Sequence, residues 1–70
     1  MKTIAKFKCS EVTMYAHGSR VILEPVIGGS DENEKFFQMT PYGKIELGLL
    51  NPDVKFTPGK EYFITFEEEV

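Results

Sequence analysis

Asn33 to Asn51 reads NEKFFQMTPYGKIELGLLN, and its two halves obey different spacing rules. In the second half Ile45, Leu47 and Leu49 alternate with Lys44 and Glu46, the period-two pattern of a strand with one face on a core. Gly48 interrupts the outer row and marks either a bend or the close approach of another backbone. The first half crowds Phe36, Phe37 and Tyr42 around the Thr40-Pro41 step and cannot be a plain strand. A strand fixes the segment and an irregular loop presents it, so the chain is expected to be organised around this stretch.

Upstream, Ser30 followed by Asp31, Glu32 and Glu34 has the signature of a helix start, a hydroxyl to cap free amides and acids facing the positive end of the dipole. Pro41 disfavours helical backbone at Thr40, so the helix is expected over Asp31 to Gln38. Farther back, Thr3 to Tyr15 alternates, with Ala5, Phe7 and Cys9 on one side and Ile4, Lys6 and Lys8 on the other. Val12 and Met14 fall on the opposite parity, and a one-residue bulge near Glu11 would return them to the core face. His17-Gly18-Ser19 reads as the turn, with Gly18 taking a positive φ, and Arg20 to Ile27 as the return strand. Pro25 cannot donate to a ladder and belongs at an irregularity or where its nitrogen faces away from a partner.

Downstream, Asn51-Pro52-Asp53 and Thr57-Pro58-Gly59-Lys60 are turns, and Glu61 to Phe66 is a last strand with Tyr62, Ile64 and Phe66 on one face. The expected fold is a single all-β domain over residues 1–70. It is a small barrel or highly twisted antiparallel sheet of about four to five strands, with one short helix between strands 2 and 3.

Seventy residues hide only about 60% of the surface of the unfolded chain, and cores this small lean on disulfides, metals or copies of themselves. One cysteine and one histidine make neither an internal disulfide nor a four-ligand zinc set, which leaves homo-oligomerisation. Cys9 alternates with Phe7 and Ala5 and reads as a buried thiol rather than a nucleophile. A formal charge of −3 argues against general nucleic-acid binding. Lys2, Lys6, Lys8 and Arg20 against Glu11 nevertheless give the first hairpin a local basic face, unless the lysines are ordinary solvated strand surface. No apolar run approaches the ~20 residues of a membrane span, and no apolar stretch follows Met1-Lys2 as in an export signal. With the unpaired thiol, these features point to the cytoplasm.

No motif for catalysis, cofactor binding or metal ligation is present. His17 has no carboxylate beside it in sequence and lacks the partner that a general base requires. The chain is therefore read as a binding protein without a cofactor, not as an enzyme. The candidate ligand-binding groups are Tyr15, Arg20, Asn33, Phe36, Thr40 and Tyr42. The rings offer flat faces on which a base stacks. Adjacent Phe36 and Phe37 cannot both point into one core, and such rings also serve to cap the open end of a barrel. Asn33 and Thr40 can bond a base edge or a phosphate, or their own backbone at the helix ends. Arg20, the single arginine, can grip a phosphate through two parallel hydrogen bonds or act as a surface strand residue.

From Glu32 onward the chain resembles a widespread family of small tailed-phage proteins. The residues that carry the resemblance are Glu32-Asn33, Phe36, Thr40-Pro41, Gly43, Ile45, Leu47, Asn51-Pro52, Phe56 and Pro58-Gly59-Lys60-Glu61-Tyr62. The first hairpin is similar only in layout. The resemblance extends to phage sponge proteins that bind cyclic nucleotides and block CBASS-type immune signalling. It implies a viral anti-defence protein in the bacterial cytoplasm, a homo-oligomer that sequesters a cyclic di- or oligonucleotide without hydrolysing it. The alternatives are a single-strand nucleic-acid module of a phage and a structural phage interaction protein. The chain departs from the family at Glu67-Glu68-Glu69, where a short apolar or Thr-Pro tail is usual, and at Phe37 and Tyr42, where smaller or more variable residues stand.

Overall fold

The structure, a computed structural model, describes residues 1–69. Strands β1 (Lys2–Tyr15), β2 (Gly18–Pro25), β3 (Ile45–Leu49) and β4 (Glu61–Glu67) form one antiparallel sheet, and helix α1 (Asp31–Phe37) lies between β2 and β3. The strand order is β3-β2-β1-β4, and the sheet curls into a half-barrel. β1 pairs with β2 along its second half and with β4 along its first. It is therefore the organising element, a correction to the role expected of Asn33 to Asn51. β3 pairs with β2 alone, and an edge strand cannot set the register of the rest.

The register of β1 against β2 steps between Cys9 and Glu11, so that Cys9 faces Leu23 and Val12 faces Val21. This is the expected bulge, and the extra twist it introduces helps to curl the sheet. Val12 returns to the core, but Met14 stays 75% exposed because it lies opposite Ser19 near the hairpin tip. Among the described residues, Ala5, Phe7 and Cys9 of β1 with Val21 and Leu23 of β2 are the buried apolar side chains. Ile45, Leu47 and Leu49 of β3 and Tyr62, Ile64 and Phe66 of β4 pack around them half-exposed. The connection from β3 to β4 has to cross from one edge of the sheet to the other. Phe56 anchors it edge-on to Tyr62, with ring centroids 4.9 Å apart, and the Thr57 N–H donates to the Tyr62 hydroxyl at 2.9 Å.

The hairpin turn is Ala16-His17, since Tyr15 pairs with Gly18, and Gly18 does not take a positive φ. Glycine is required there for space: a Cβ would stand 2.5 Å from the Leu49 carbonyl oxygen. The close backbone approach considered for Gly48 is thus found at Gly18, whereas a Cβ at Gly48 meets nothing within 4 Å.

Pro25 closes β2 opposite Phe7, and beyond it the β2 side of β1 would be left without a strand. Asn33 fills the gap. The Lys6 N–H donates to Asn33 Oδ1 at 2.6 Å, and Asn33 Nδ2 donates to the carbonyls of Lys6 at 2.7 Å and Val26 at 2.9 Å. Its carboxamide takes the place of a peptide group in the ladder, 2% exposed. The helix is held in position by its own cap. Ser30 Oγ accepts from the Asn33 N–H at 3.3 Å and donates to Glu32 Oε1 at 3.1 Å. At the other end Gln38 adopts left-handed backbone with φ 59°, and its N–H donates to the Glu34 carbonyl. α1 thus ends at Phe37, one residue short of expectation, through a left-handed cap rather than at Thr40-Pro41.

A half-barrel leaves much of its apolar surface in water. The Cα radius of gyration is 13.3 Å, against about 11 Å for a compact chain of this length. The accessible surface is 5502 Å², whereas a folded monomer of 8.0 kDa exposes about 4,450 Å².

Replacing Asn33 by Ala would leave the Lys6 N–H and the Val26 carbonyl without these partners, while the Lys6 carbonyl keeps the Val26 N–H at 3.0 Å, and should destabilise the fold by about 1–3 kcal/mol. Equilibrium urea denaturation measures this, with Thr40→Ala as an exposed control expected within about 0.5 kcal/mol of the parent. Gly18→Ala and Gly48→Ala should diverge in the same assay. The first must displace the β3 exit, while the second enters open space and should gain up to about 1 kcal/mol from lost backbone freedom in the unfolded chain.

Candidate ligand-binding site

The outward face of β1 carries Lys2, Lys6 and Lys8, and β4 answers each of them. Lys2 stands opposite Glu67 and Lys8 opposite Glu61, while Lys6 stands opposite Phe63. Lys6 Nζ lies 3.3 Å from Glu61 Oε1 and 5.3 Å from the centroid of the Phe63 ring. The local basic face expected from residues 1–22 is therefore interleaved with carboxylates, and it offers no unbroken cationic track for a phosphate backbone.

Arg20 has the same fate on the other half of this face. Its Nε donates to Glu46 on β3, and Nη1 stands 3.5 Å from Glu11 Oε2 on β1. The guanidinium thus ties three strands together across β2, and a phosphate would have to displace these carboxylates to be gripped in two places. The hydrogen bond from Arg20, reinforced by its charge, holds the Glu46 carboxyl below its ordinary value of 4.5. The same bond raises Arg20 above its own ordinary value.

Asn33 is corrected outright as a ligand-binding group. Its amide is buried and its acceptor and both donors are committed to backbone. Phe36 is 38% exposed and packs on Phe37 and Phe66 with centroid separations of 4.9 and 5.5 Å. Phe37 faces the core and Phe36 covers the open side of the half-barrel beside it, so the pair divides as its adjacency required. Thr40 is exposed on the loop after α1. Tyr42 is 91% exposed and edges a concavity of about 510 Å³ formed with Pro25, Ile27, Pro41 and Lys44.

Tyr15 lies elsewhere, at the tip of the first hairpin. There a larger concavity of about 620 Å³ opens between the hairpin and the segment leaving β3. Its floor is apolar, with Val12, Leu49 and Phe56, and its rim carries Tyr15, His17 and Lys55. Asn51 also lines it, its Oδ1 accepting the Asp53 N–H at 2.9 Å in an Asx turn. Lys55 and His17 are the site residues that sequence reasoning missed. Neither sits in a motif, and they are 38 positions apart until the crossing segment lies alongside the hairpin. The expected residues are thus not gathered in one place: Tyr15 lines the concavity at the hairpin tip, Tyr42 the one beside Pro25, and Arg20, Asn33, Phe36 and Thr40 neither. Among the described residues no group of His, Cys, Asp and Glu side chains is placed to hold a metal ion, and no helix is long and apolar enough to cross a membrane.

Comparison of the chain with family models, with curated proteins and with solved structures finds no match.

Because the folded state lowers the Glu46 pKa, the Arg20 pair contributes stability above the ordinary carboxylate value and loses it as pH falls through the depressed one. Glu46→Gln should flatten the acid limb of the stability curve below about pH 4.5. Thermal unfolding across pH 3 to 7 would detect it, and parallel curves for variant and parent would contradict the pairing.

Proposed function

We propose that this protein is a phage anti-defence protein that binds and sequesters a cyclic di- or oligonucleotide signal without hydrolysing it. It acts as a homo-oligomer in the cytoplasm of a bacterial host. What supports the reading is the concavity at the hairpin tip. At about 620 Å³ it has the volume of a small-molecule site, where apolar walls and a few polar groups bury a ligand. Tyr15, 58% exposed, supplies a face for a base, and Lys55 and His17 supply cationic or hydrogen-bonding groups for phosphate. A cyclic dinucleotide has flat bases and only two phosphates. It needs platforms and one or two cations rather than a basic groove, which suits an acidic chain whose Lys6 and Arg20 are already paired with carboxylates. The sequence resemblance supports the same ligand class.

A thermal-shift screen against cyclic di- and trinucleotides tests the reading, since a ligand at 100 times its dissociation constant stabilises by about 2.7 kcal/mol. For the ligand that shifts the transition, Tyr15→Ala should weaken binding by about 1–3 kcal/mol, and Lys55→Ala should make the remaining affinity less sensitive to salt. Recovery of the ligand intact after heat denaturation is expected. A linear product on chromatography, or no shift with any cyclic nucleotide, would refute sequestration.

A further inference from the structure

The sheet has two edges, and their side chains treat a second copy of this chain differently. An antiparallel pair of β4 strands centred on Ile64 would set Glu61 opposite the second copy's Glu67 at both ends, beside Glu68 and Glu69. Like charges directly opposite each other disfavour pairing, and charge on an edge is a standing protection against it. β3 carries no such guard. An antiparallel pair centred on Leu47 uses all its residues, sets Ile45 opposite Leu49 on the core face, and sets Glu46 opposite Gly48 on the other. A side chain at Gly48 would meet open space. The surface in excess of a compact monomer, about 1,000 Å² by the scaling of folded chains, is close to the ~800 Å² that each partner contributes to a standard interface.

We infer that two copies join through β3 about a twofold axis at Leu47, and that this contact completes the ligand site. Continued one residue past the strand, the register places the second copy's Lys44 opposite Leu50, and its Tyr42, beyond Gly43, lies on the side of the Asn51–Asp53 turn that contains Pro52. Leu50 and Pro52 line the hairpin-tip concavity. The dimer therefore brings Tyr42 and Lys44 of one copy to the concavity that holds Tyr15, His17 and Lys55 of the other, twice by symmetry. Two aromatic residues that lie in separate concavities of one chain become the two platforms of one site. The strand contact is independent of the ligand reading, whereas the composite site rests on it.

Sedimentation of the full chain should give a particle of twice 8.0 kDa. Gly48→Glu opposes two carboxylate pairs across the axis and should raise the dimer dissociation constant several-fold to about tenfold, whereas Gly48→Lys meets Glu46 and should not. Within one chain Gly48 pairs with Arg20, so the effects on folding run the other way, and a loss of association by Gly48→Glu cannot be ascribed to unfolding. A monomer throughout the micromolar range, or equal weakening by both variants, overturns the contact. For the site, Tyr15→Ala and Tyr42→Ala are tested with cyclic di-AMP or whichever cyclic nucleotide stabilises the parent. Each variant alone should bind weakly, and an equal mixture after subunit exchange should restore full affinity to about a quarter of the sites, because one site of each mixed dimer holds both rings. No restoration overturns the composite site. If the parent binds none of the cyclic nucleotides, the composite site falls with the ligand reading, and the sedimentation result still decides the strand contact.

Discussion

The carboxamide of Asn33 holds together two parts of the fold that backbone pairing alone leaves apart. β2 stops at Pro25, yet β1 continues toward its N-terminal end with peptide groups turned to the vacated side. A side-chain amide has the donor and acceptor of a peptide, so Asn33 accepts from the Lys6 N–H and donates to the carbonyls of Lys6 and Val26. The helix is thereby tied to the central strand through hydrogen bonds, in addition to the packing of Phe37 against the core. That is an economical solution for a chain whose core contains so few large side chains, because a buried amide with every group paired resists replacement by a merely similar residue.

The rest of the architecture follows from β1 having two neighbours. Before the bulge its core face packs against β4 as well as β2, and beyond it the hairpin projects with β2 and β3 but without β4. The projecting part leaves Met14 and Tyr15 exposed and opens the concavity beneath the hairpin tip. The segment from Leu50 to Lys60 must travel from the β3 edge to the β4 edge, and its route along the hairpin supplies the second wall. The concavity is thus a by-product of the strand order: any chain that closes an edge-to-edge connection around an unfinished barrel has to leave such a space or fill it.

Charge on this protein is arranged by strand rather than by total. Lysines on β1 face carboxylates on β4, and Arg20 bridges carboxylates on both its neighbours. These are exposed pairs whose main effect is on register and pairing specificity, since salt and water screen them. They engage Lys6 and Arg20, whereas Lys55 and His17 line the concavity. The same arrangement makes one sheet edge acidic and the other nearly neutral, a difference that composition conceals.

Much of the fold was legible in the residues themselves. Alternation located the strands, the parity change at Val12 announced the bulge, and Ser30 with its following acids marked the helix start. Each of these is a local pattern, set by the period of a strand or by the orphan amides of a helix end. The candidate site was legible only in part. Tyr15 and Tyr42 are exposed rings in separate concavities, but Asn33 is structural, because whether an amide serves a ligand or a neighbouring strand depends on a contact 27 positions away. Arg20 met Glu46 across 26 positions, and Lys55 joined His17 only through the path of the crossing segment. Gly18 looked like a turn residue and proved to be a point of close approach to Leu49. The sequence by itself determined the elements and their inward faces, since those depend on neighbours along the chain. Which polar groups were left for a ligand was decided by tertiary structure, because pairing between distant strands consumes donors and charges that no local pattern can assign.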